Sequence, residues 1–154
     1  MAHVGIVHLS LQTDYGLRIL MLLASADRQM TVDEIARSYG ISRNHLAKVA
    51  QRLQQSGYVD TARGRSGGLR LAVPARDLNV GTVVRDLENL ETFVECMSPA
   101  RNMCPAFGVC GLQNALGLAL GDFLKRLDSY TVADLVPDTA WFNEQLSRNH
   151  PATD

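Results

Sequence analysis

The chain has 154 residues, 46% of them hydrophobic, and a formal net charge of −1. This size and hydrophobic content predict one compact domain with a buried core. The first ten residues lack the basic stretch and apolar core of a secretory signal, and the apolar run 17–26 is too short to span a bilayer. We therefore expect a soluble, cytoplasmic protein that does not associate with membranes.

The basic residues are concentrated in one segment. Residues 37–76 carry eight Lys and Arg against one acidic residue, Asp60, a net charge of +7 that leaves −8 on the rest of the chain. A basic segment in an otherwise acidic protein is typical of a surface that binds a polyanion. A solvated face without a partner has the same composition, so the motifs must decide between the two.

Two helices are predicted before residue 40. Apolar residues at helical spacing indicate a first helix over residues 13–26, with Thr13 or Asp14 as its N-cap. The sequence 31–34, Thr-Val-Asp-Glu, is a capping box and opens a short second helix. Gly40 ends this helix because glycine readily adopts the left-handed conformation.

The third helix is predicted from Arg43 to about Ser56, with Ser42 as its N-cap. Helical periodicity predicts four residues on its inner face, Leu46, Val49, Ala50 and Leu53. Two short helices joined by a tight turn that contains glycine form a helix-turn-helix.

A β-hairpin is predicted directly after these helices. Residues 58–63 and 69–73 have the composition of strands, a glycine-rich turn over 64–68 joins them, and Pro74 ends the second. A hairpin in this position is the wing of a winged helix. The turn lacks the strand-to-helix context that a nucleotide-binding loop needs.

The second half of the chain is predicted to contain two helices and one irregular loop. Asn79 caps a helix that continues to Leu87, and residues 91–111 lose periodicity and contain all three cysteines. A long amphipathic helix follows, with the apolar stripe Leu112, Ala115, Leu116, Ala119, Phe123, Leu127 and Tyr130. Since the winged-helix core is complete upstream, we expect this stripe to pack against a second chain. The polar tail from Asn143 is expected to be frayed.

Double-stranded DNA is the polyanion that this arrangement fits. A recognition helix places its N-terminal, outward-facing residues in the major groove, and wing residues contact phosphates or the minor groove. The candidate DNA-binding residues are Ser42, Arg43, Asn44, His45 and Lys48 on the helix and Arg63, Arg65 and Arg70 on the wing. A winged helix used only for protein contacts would not need this local charge.

Cys96, Cys104 and Cys110 lie together in one loop that contains proline and glycine. An odd number of cysteines in a chain without export features argues against a disulfide framework. Three thiolates from one loop are suited to an iron-sulfur cluster or to zinc. Zinc would normally have a fourth Cys or His nearby, and no His lies between His45 and His150.

The motifs resemble the Rrf2 family of winged-helix iron-sulfur regulators. The matching segments are 13–18 (TDYGLR), 40–46 (GISRNHL), 57–59 (GYV), 63–64 (RG), 67–71 (GGLRL), the three cysteines and 130–136 (YTVADLV). Within the family, the Ser-Arg-Asn-His start of the recognition helix and the closing Ala-Asp-Leu-Val are most similar to the branch of repressors that sense nitric oxide.

The resemblance implies a homodimer that binds operator DNA with its cluster intact and releases the DNA when nitric oxide attacks the iron. It favours a 4Fe-4S over a 2Fe-2S cluster, held by Cys96, Cys104 and Cys110. A cubane cluster needs a fourth ligand, and the resemblance assigns that place to Asp14 of the opposite subunit. Capping of the first helix is the alternative role for Asp14, and His3 and His8 are weaker alternatives for the ligand.

Other regulators of this fold stay open as alternatives. The branch that controls iron-sulfur assembly uses a His three residues after its last Cys, and this chain has Gln113 there. The long gap between the first two cysteines resembles an iron-responsive branch, so a regulator that reports iron or cluster supply is the nearest alternative. A zinc-bound or thiol-switched winged-helix regulator is a third.

The predicted fold is therefore mainly α, a winged helix-turn-helix with a small β-hairpin wing and a long C-terminal dimerisation helix. Residues 10–76 are predicted to form the DNA-binding region, and residues 77–142 the cluster loop and dimerisation helix, within one continuous unit. No catalytic triad, paired acid motif or cofactor fingerprint is found, so we do not expect an enzyme.

Overall fold

The computed structural model describes residues 8–62, 64, 67–98 and 100–149. Its helices and strands are α1 Leu11–Ala26, α2 Val32–Tyr39, α3 Arg43–Gln55, β1 Val59–Ala62, β2 Gly68–Leu71, α4 Val80–Leu87, α5 Gly111–Leu127 and α6 Thr139–Asn149. Within these residues no helix is both long and apolar enough to cross a membrane. The order of the elements confirms the expected winged helix-turn-helix fold.

The first helix begins earlier than its apolar periodicity predicted. Ser10 is the N-cap of α1, and its hydroxyl accepts a hydrogen bond from the Thr13 amide at 3.3 Å. The prediction that Thr13 or Asp14 is the cap was wrong, because the helix begins at Leu11 and its cap lies three residues before Thr13. Thr13 is fully buried, and Asp14 lies inside the first turn.

The second helix has the predicted capping box. The Thr31 hydroxyl accepts from the Glu34 amide at 3.1 Å, and the Glu34 carboxylate accepts from the Thr31 amide at 2.7 Å. This backbone hydrogen bond from Thr31 lowers the pKa of Glu34. Gly40 ends α2 with φ = 63°, as predicted, and α3 begins three residues later.

One face of α3 is anchored in the core that α1, α2 and the hairpin share. The four residues predicted for its inner face are all buried: Leu46, Val49, Ala50 and Leu53. Helices α1 and α2 both pack against α3. Because burial of an apolar stripe fixes the rotation of a helix about its axis, the opposite face of α3 must lie at the surface.

The hairpin confirms the predicted wing, with shorter strands. β1 and β2 are antiparallel, with Val59 opposite Leu71 and Asp60 opposite Arg70. Leu69 is buried and also pairs with Met30 in the connection between α1 and α2. The wing is therefore joined to the body of the protein by backbone hydrogen bonds as well as by side-chain packing.

Helix α5 leaves most of its apolar surface uncovered within one chain. Asn79 caps α4 as predicted, and Val80, Val84 and Leu124 form a small second core between α4 and α5. Leu124 is the one buried residue of α5 among the described residues. Leu112, Ala115, Ala119 and Phe123 of the predicted stripe are exposed, and Tyr130 lies beyond the end of the helix.

Residues 143–149 of the polar tail belong to α6, contrary to expectation, and the rest of the tail lies outside the described residues. Phe142 and Leu146 of α6 pack against the winged-helix core. The Asn143 side chain accepts from the Ser25 hydroxyl at 2.8 Å and donates to the Ser25 carbonyl at 3.1 Å. These two apolar residues and the two hydrogen bonds of Asn143 dock the short helix on α1 and α2.

The first prediction concerns Gly16, where α1, α3 and α4 meet. A Cβ at this position would lie 2.5 Å from Leu87 Cδ1 and 3.7 Å from side-chain atoms of Val49 and Leu53. Gly16→Val should therefore lower the free energy of unfolding by about 1–3 kcal/mol, because it overpacks a helix junction. Urea unfolding at fixed protein concentration measures this change.

The matched control is Ala47→Val on the exposed face of α3. It adds a β-branched residue to a helix without overpacking and should cost no more than about 0.7 kcal/mol. Equal losses in the two variants would show that the junction at Gly16 is not tightly packed.

Candidate nucleic-acid interface and cysteine loop

The outer face of α3 carries four of the predicted site residues. Arg43, Asn44, His45 and Lys48 are all exposed, whereas Leu46 between them is fully buried. In the described part of the chain, the side chains of Asn44, His45 and Lys48 have no hydrogen-bond or ion-pair partner. This face therefore presents amide, imidazole and ammonium groups to solvent without competition from the protein.

Two of the predicted cations are paired with acidic residues at the surface. Arg43 Nε lies 2.7 Å from Asp33 Oδ1, and Arg70 Nη2 lies 3.5 Å from Asp60 Oδ2 across the hairpin. The Arg43 and Arg70 side chains are each 64% exposed. Exposed pairs of this kind contribute at most about 1 kcal/mol, so a phosphate or base can replace the carboxylate at little cost.

Ser42 is the N-cap of α3 by position, as predicted, but its side chain makes no capping hydrogen bond. The side chain is exposed, as are the next three residues. The hydroxyl and the first-turn amides of α3 are therefore available to an external acceptor. A helix N-terminus with such groups favours anionic partners.

The backbone geometry of the wing tip explains its glycines. Gly64 has φ = 115°, and a Cβ on Gly67 would lie 2.6 Å from the Ala62 carbonyl oxygen. The Gly67 amide donates to the Gly64 carbonyl at 2.9 Å and closes the turn. Of the predicted wing cations, Arg70 is exposed on β2, while Arg63 and Arg65 lie outside the described residues.

The three cysteines lie between α4 and α5, and none forms a disulfide. Cys96 is in a short 3-10 helix, Cys104 is half-buried in the loop that follows, and Cys110 is exposed at the N-cap of α5. The Cys110 sulfur accepts a hydrogen bond from the Leu112 amide at 3.4 Å.

The loop is tied to α5 by Gln113, for which the sequence indicated no structural role. Gln113 Nε2 donates to the Cys96 carbonyl at 3.0 Å and so joins the start of the loop to the first turn of α5. Gln113 is thus a structural residue here. Its role has no local sequence signal because the bond spans 17 residues.

The structure does not gather the predicted metal ligands within one chain. Among the described residues, which include Cys96, Cys104, Cys110 and Asp14, no three His, Cys, Asp or Glu side chains form a group that could hold a metal ion. The chemistry of the donors nevertheless fits an iron-sulfur cluster, because three thiols outside the core occur in one loop.

Asp14 forms an ion pair and does not cap α1. Asp14 Oδ2 lies 3.0 Å from Arg18 Nη2, and this hydrogen-bonded pairing raises the pKa of Arg18. The i, i+4 spacing was a signal for the pair that sequence reasoning missed. His8 is described and exposed, whereas His3 lies outside the described residues.

Arg18 also contacts the end of α2. Its guanidinium carbon lies 5.8 Å from the centre of the Tyr39 ring, and the Tyr39 hydroxyl donates to the Arg18 carbonyl at 2.9 Å. Burial raises the pKa of Tyr39, so this phenol remains a donor. The first turn of α1 is thus connected to the end of α2 through the contacts of Asp14 with Arg18 and of Arg18 with Tyr39.

Comparisons with known proteins agree with this geometry. The sequence model of the Rrf2 family, described as iron-dependent transcriptional regulator, matches residues 9–138. The HTH-type transcriptional regulator NsrR of Bacillus subtilis (strain 168) is 48% identical over 127 residues, which are 80% of this chain and 86% of the relative.

Two solved structures show the same fold. CymR (YrzC), the global cysteine regulator of B. subtilis, has a TM-score of 0.67 at 24% identity. The match covers 86% of this chain and 98% of the CymR chain. T. potens IscR has a TM-score of 0.69 at 24% identity, and the match covers 92% of this chain and 93% of the IscR chain. Helix α6 follows the part of the chain that the family model matches.

Proposed function

Because this chain belongs to the Rrf2 family of transcriptional regulators, we propose that it binds operator DNA as a repressor and releases it when nitric oxide reacts with an iron-sulfur cluster. The exposed face of α3, next to the hairpin, carries the DNA-binding part of the proposal. The three thiols outside the core and the resemblance to nitric-oxide-sensing repressors support the sensing part.

Each residue on the outer face of α3 has a chemical role in this proposal. Asn44 reads adenine and Arg43 reads guanine in the major groove, since amide and guanidinium groups match those bases in two-point contacts. His45 donates to a neighbouring base edge or phosphate, and Lys48 neutralises a phosphate. The Ser42 hydroxyl and the first-turn amides of α3 bind a phosphate oxygen.

The wing contributes mainly charge. Arg70 exchanges Asp60 for a phosphate, and Arg63 and Arg65 at the tip contact the backbone or a narrow minor groove. In this proposal residues 10–76 form the DNA-binding region, and residues 77–142 carry the cluster loop and the dimerisation helix.

A second copy of the chain is the proposed partner of α5. Leu112 and Phe123, which lie on one face of this helix, expose 61% and 44% of their surface. Symmetric dimers pair the same face of both chains, so one apolar helix face suffices for a homodimer. Two recognition helices would then face successive turns of the operator.

Cys96, Cys104 and Cys110 would hold the cluster, for which we favour the 4Fe-4S type, and Asp14 of the second copy would be its fourth ligand. When bound, such a cluster supplies iron sites that react with nitric oxide, and a carboxylate binds its iron less firmly than a thiolate does. As a ligand, Asp14 would give up part or all of its pairing with Arg18, whose guanidinium contacts the Tyr39 ring. Ligation would thus be linked to the end of α2.

The second prediction separates base reading from phosphate binding. On an operator duplex that the protein selects from randomised DNA, Asn44→Ala should cost about 1–3 kcal/mol and leave binding to a random duplex unchanged. Lys48→Ala should weaken binding to both duplexes and lower the slope of log affinity against log salt by about 0.9. Arg65→Ala should behave like Lys48→Ala. Fluorescence anisotropy at several salt concentrations measures both effects.

Asn149→Ala, at the exposed end of α6, is the matched control. It should change neither the affinity for the two duplexes nor the slope of log affinity against log salt. If Asn44→Ala lowered affinity for both duplexes equally, Asn44 would not be a base reader.

The third prediction tests the sensing mechanism. Protein purified without oxygen should contain iron and sulfide and absorb visible light, and nitric oxide should abolish operator binding. Cys96→Ala, Cys104→Ala and Cys110→Ala should each lose the absorbance and bind the operator more weakly. Arg101→Gln, which changes an exposed polar side chain of the same loop, should match the parent protein.

Release of DNA by an iron chelator but not by nitric oxide would contradict the proposed effector. A colourless protein with zinc and no sulfide would contradict the cluster. A triple alanine variant that still bound the operator tightly and still responded to nitric oxide would contradict both.

The fourth prediction concerns Asp14. Asp14→Ala should retain a cluster held by three cysteines but change its absorbance and its rate of reaction with nitric oxide, whereas Asp14→Cys should slow that reaction. Arg18→Gln is the control, because it breaks the same ion pair and leaves the carboxylate in place. Stopped-flow spectroscopy without oxygen gives the rates. If Asp14→Ala and Asp14→Cys matched the parent protein in spectrum and rate, Asp14 would only pair with Arg18.

A further inference from the structure

The end of α4 contacts the DNA-binding elements and α5 within four consecutive residues. Residues 85–87 form its last turn, and Glu88 is its C-cap. Consecutive side chains on a helix point about 100° apart, so these residues face different neighbours. Their contacts are with α5, with α3 and the wing, and with the start of α1.

Arg85 joins α4 to the end of α5. Its two terminal nitrogens lie 2.5 and 2.8 Å from the two carboxylate oxygens of Asp128, the C-cap of α5. Arg85 therefore lowers the pKa of Asp128. Gly81, one turn earlier, leaves room for this pair, because a Cβ there would lie 2.0 Å from Asp128 Oδ1. The two-point geometry fixes both position and orientation of the groups.

Asp86 joins α4 to the recognition helix and the wing. Its carbonyl accepts a hydrogen bond from Arg52 Nη2 in the last turn of α3 at 3.2 Å. Its carboxylate accepts from the hydroxyl of Tyr58, the buried residue before β1. One residue of α4 thus contacts the last turn of the recognition helix and the residue that precedes the wing.

Leu87 and Glu88 join α4 to α1. Leu87 packs against Gly16, and Glu88 Oε2 accepts a hydrogen bond from the Ser10 amide at 2.9 Å. Burial raises the pKa of Glu88, but hydrogen bonds from Thr13 and Ser10 outweigh this effect and lower it. The carboxylate therefore stays charged at the start of the helix that carries Asp14.

We propose that residues 85–88 transmit a displacement of α5 to α3, the wing and the start of α1. These residues move together because they share one helical turn and its cap. A shift of Asp128 would pull Arg85 and carry Asp86 with it, and so change the support of Arg52 and Tyr58. The role of this coupling in releasing DNA rests on the proposed function, whereas the mechanical coupling does not.

The fifth prediction tests the mechanical coupling without reference to cofactor or DNA. In Asp128→Asn, amide hydrogen exchange of residues 52–62 should be about two- to fivefold faster than in the parent protein, in keeping with the loss of one exposed ion pair. Glu144→Gln is the matched control, since it breaks the exposed Arg148 pair on α6. It should leave exchange of residues 52–62 unchanged. Faster exchange confined to α4 and α5 would overturn the proposal.

A second measurement links the coupling to DNA release. The ratio of operator Kd values for cluster-free and cluster-loaded protein should fall by at least about fivefold in Tyr58→Phe, which keeps the buried ring and removes the bond to Asp86. A purely structural role would weaken both states equally and leave the ratio unchanged, and that result would overturn the role in release. If the parent protein had a ratio of 1 while the exchange effect reached residues 52–62, the proposed function would fail and the coupling would stand.

Discussion

The burial of one face of α3 is the constraint on which the rest of this structure depends. Leu46 and Leu53 are fully buried, and Val49 and Ala50 are nearly so. A helix held by four buried residues cannot rotate about its axis without exposing them, which would cost roughly 1.5–3 kcal/mol for each large side chain. The outward direction of Asn44 and Lys48 thus follows from what the opposite face buries.

The electrostatics of the proposed DNA surface follow from its exposure. Arg43 and Arg70 each have a carboxylate partner, but both pairs lie in solvent, where they contribute little to stability. Lys48 has no ion-pair partner among the described residues, so the positive charge of this surface is compensated only in part, by the carboxylates of Asp33 and Asp60. A polyanion can displace Asp33 and Asp60 from these pairs without leaving a buried charge unpaired. Affinity for DNA and folding stability therefore place few conflicting demands on Arg43 and Arg70.

The second half of the chain has a different character. Helix α5 buries one residue, Leu124, among those described, and the cysteine loop beside it exposes Met103, Phe107 and Val109. Exposed apolar residues on adjacent segments are typical of a surface that another molecule covers. The same loop carries the three thiols, so in the proposed dimer one event would cover this surface and gather the cysteines.

The sequence by itself determined the features that depend on neighbouring residues. The capping box at Thr31, the glycine after α2 and the inner face of α3 were predicted correctly, because each rests on spacing within one or two turns. The two strands of the wing were found for the same reason, as was the Asn79 cap.

Only the tertiary structure decided what lies between distant segments. The amide of Ser10, the true cap of α1, bonds to a carboxylate 78 residues away, and Asn143 docks α6 on Ser25 across 118 residues. The contact of Arg18 with Tyr39 and the contacts of residues 85–88 also join segments that are distant in the sequence. Such contacts leave no periodic pattern in the sequence, because their geometry exists only after the core has brought the helices together.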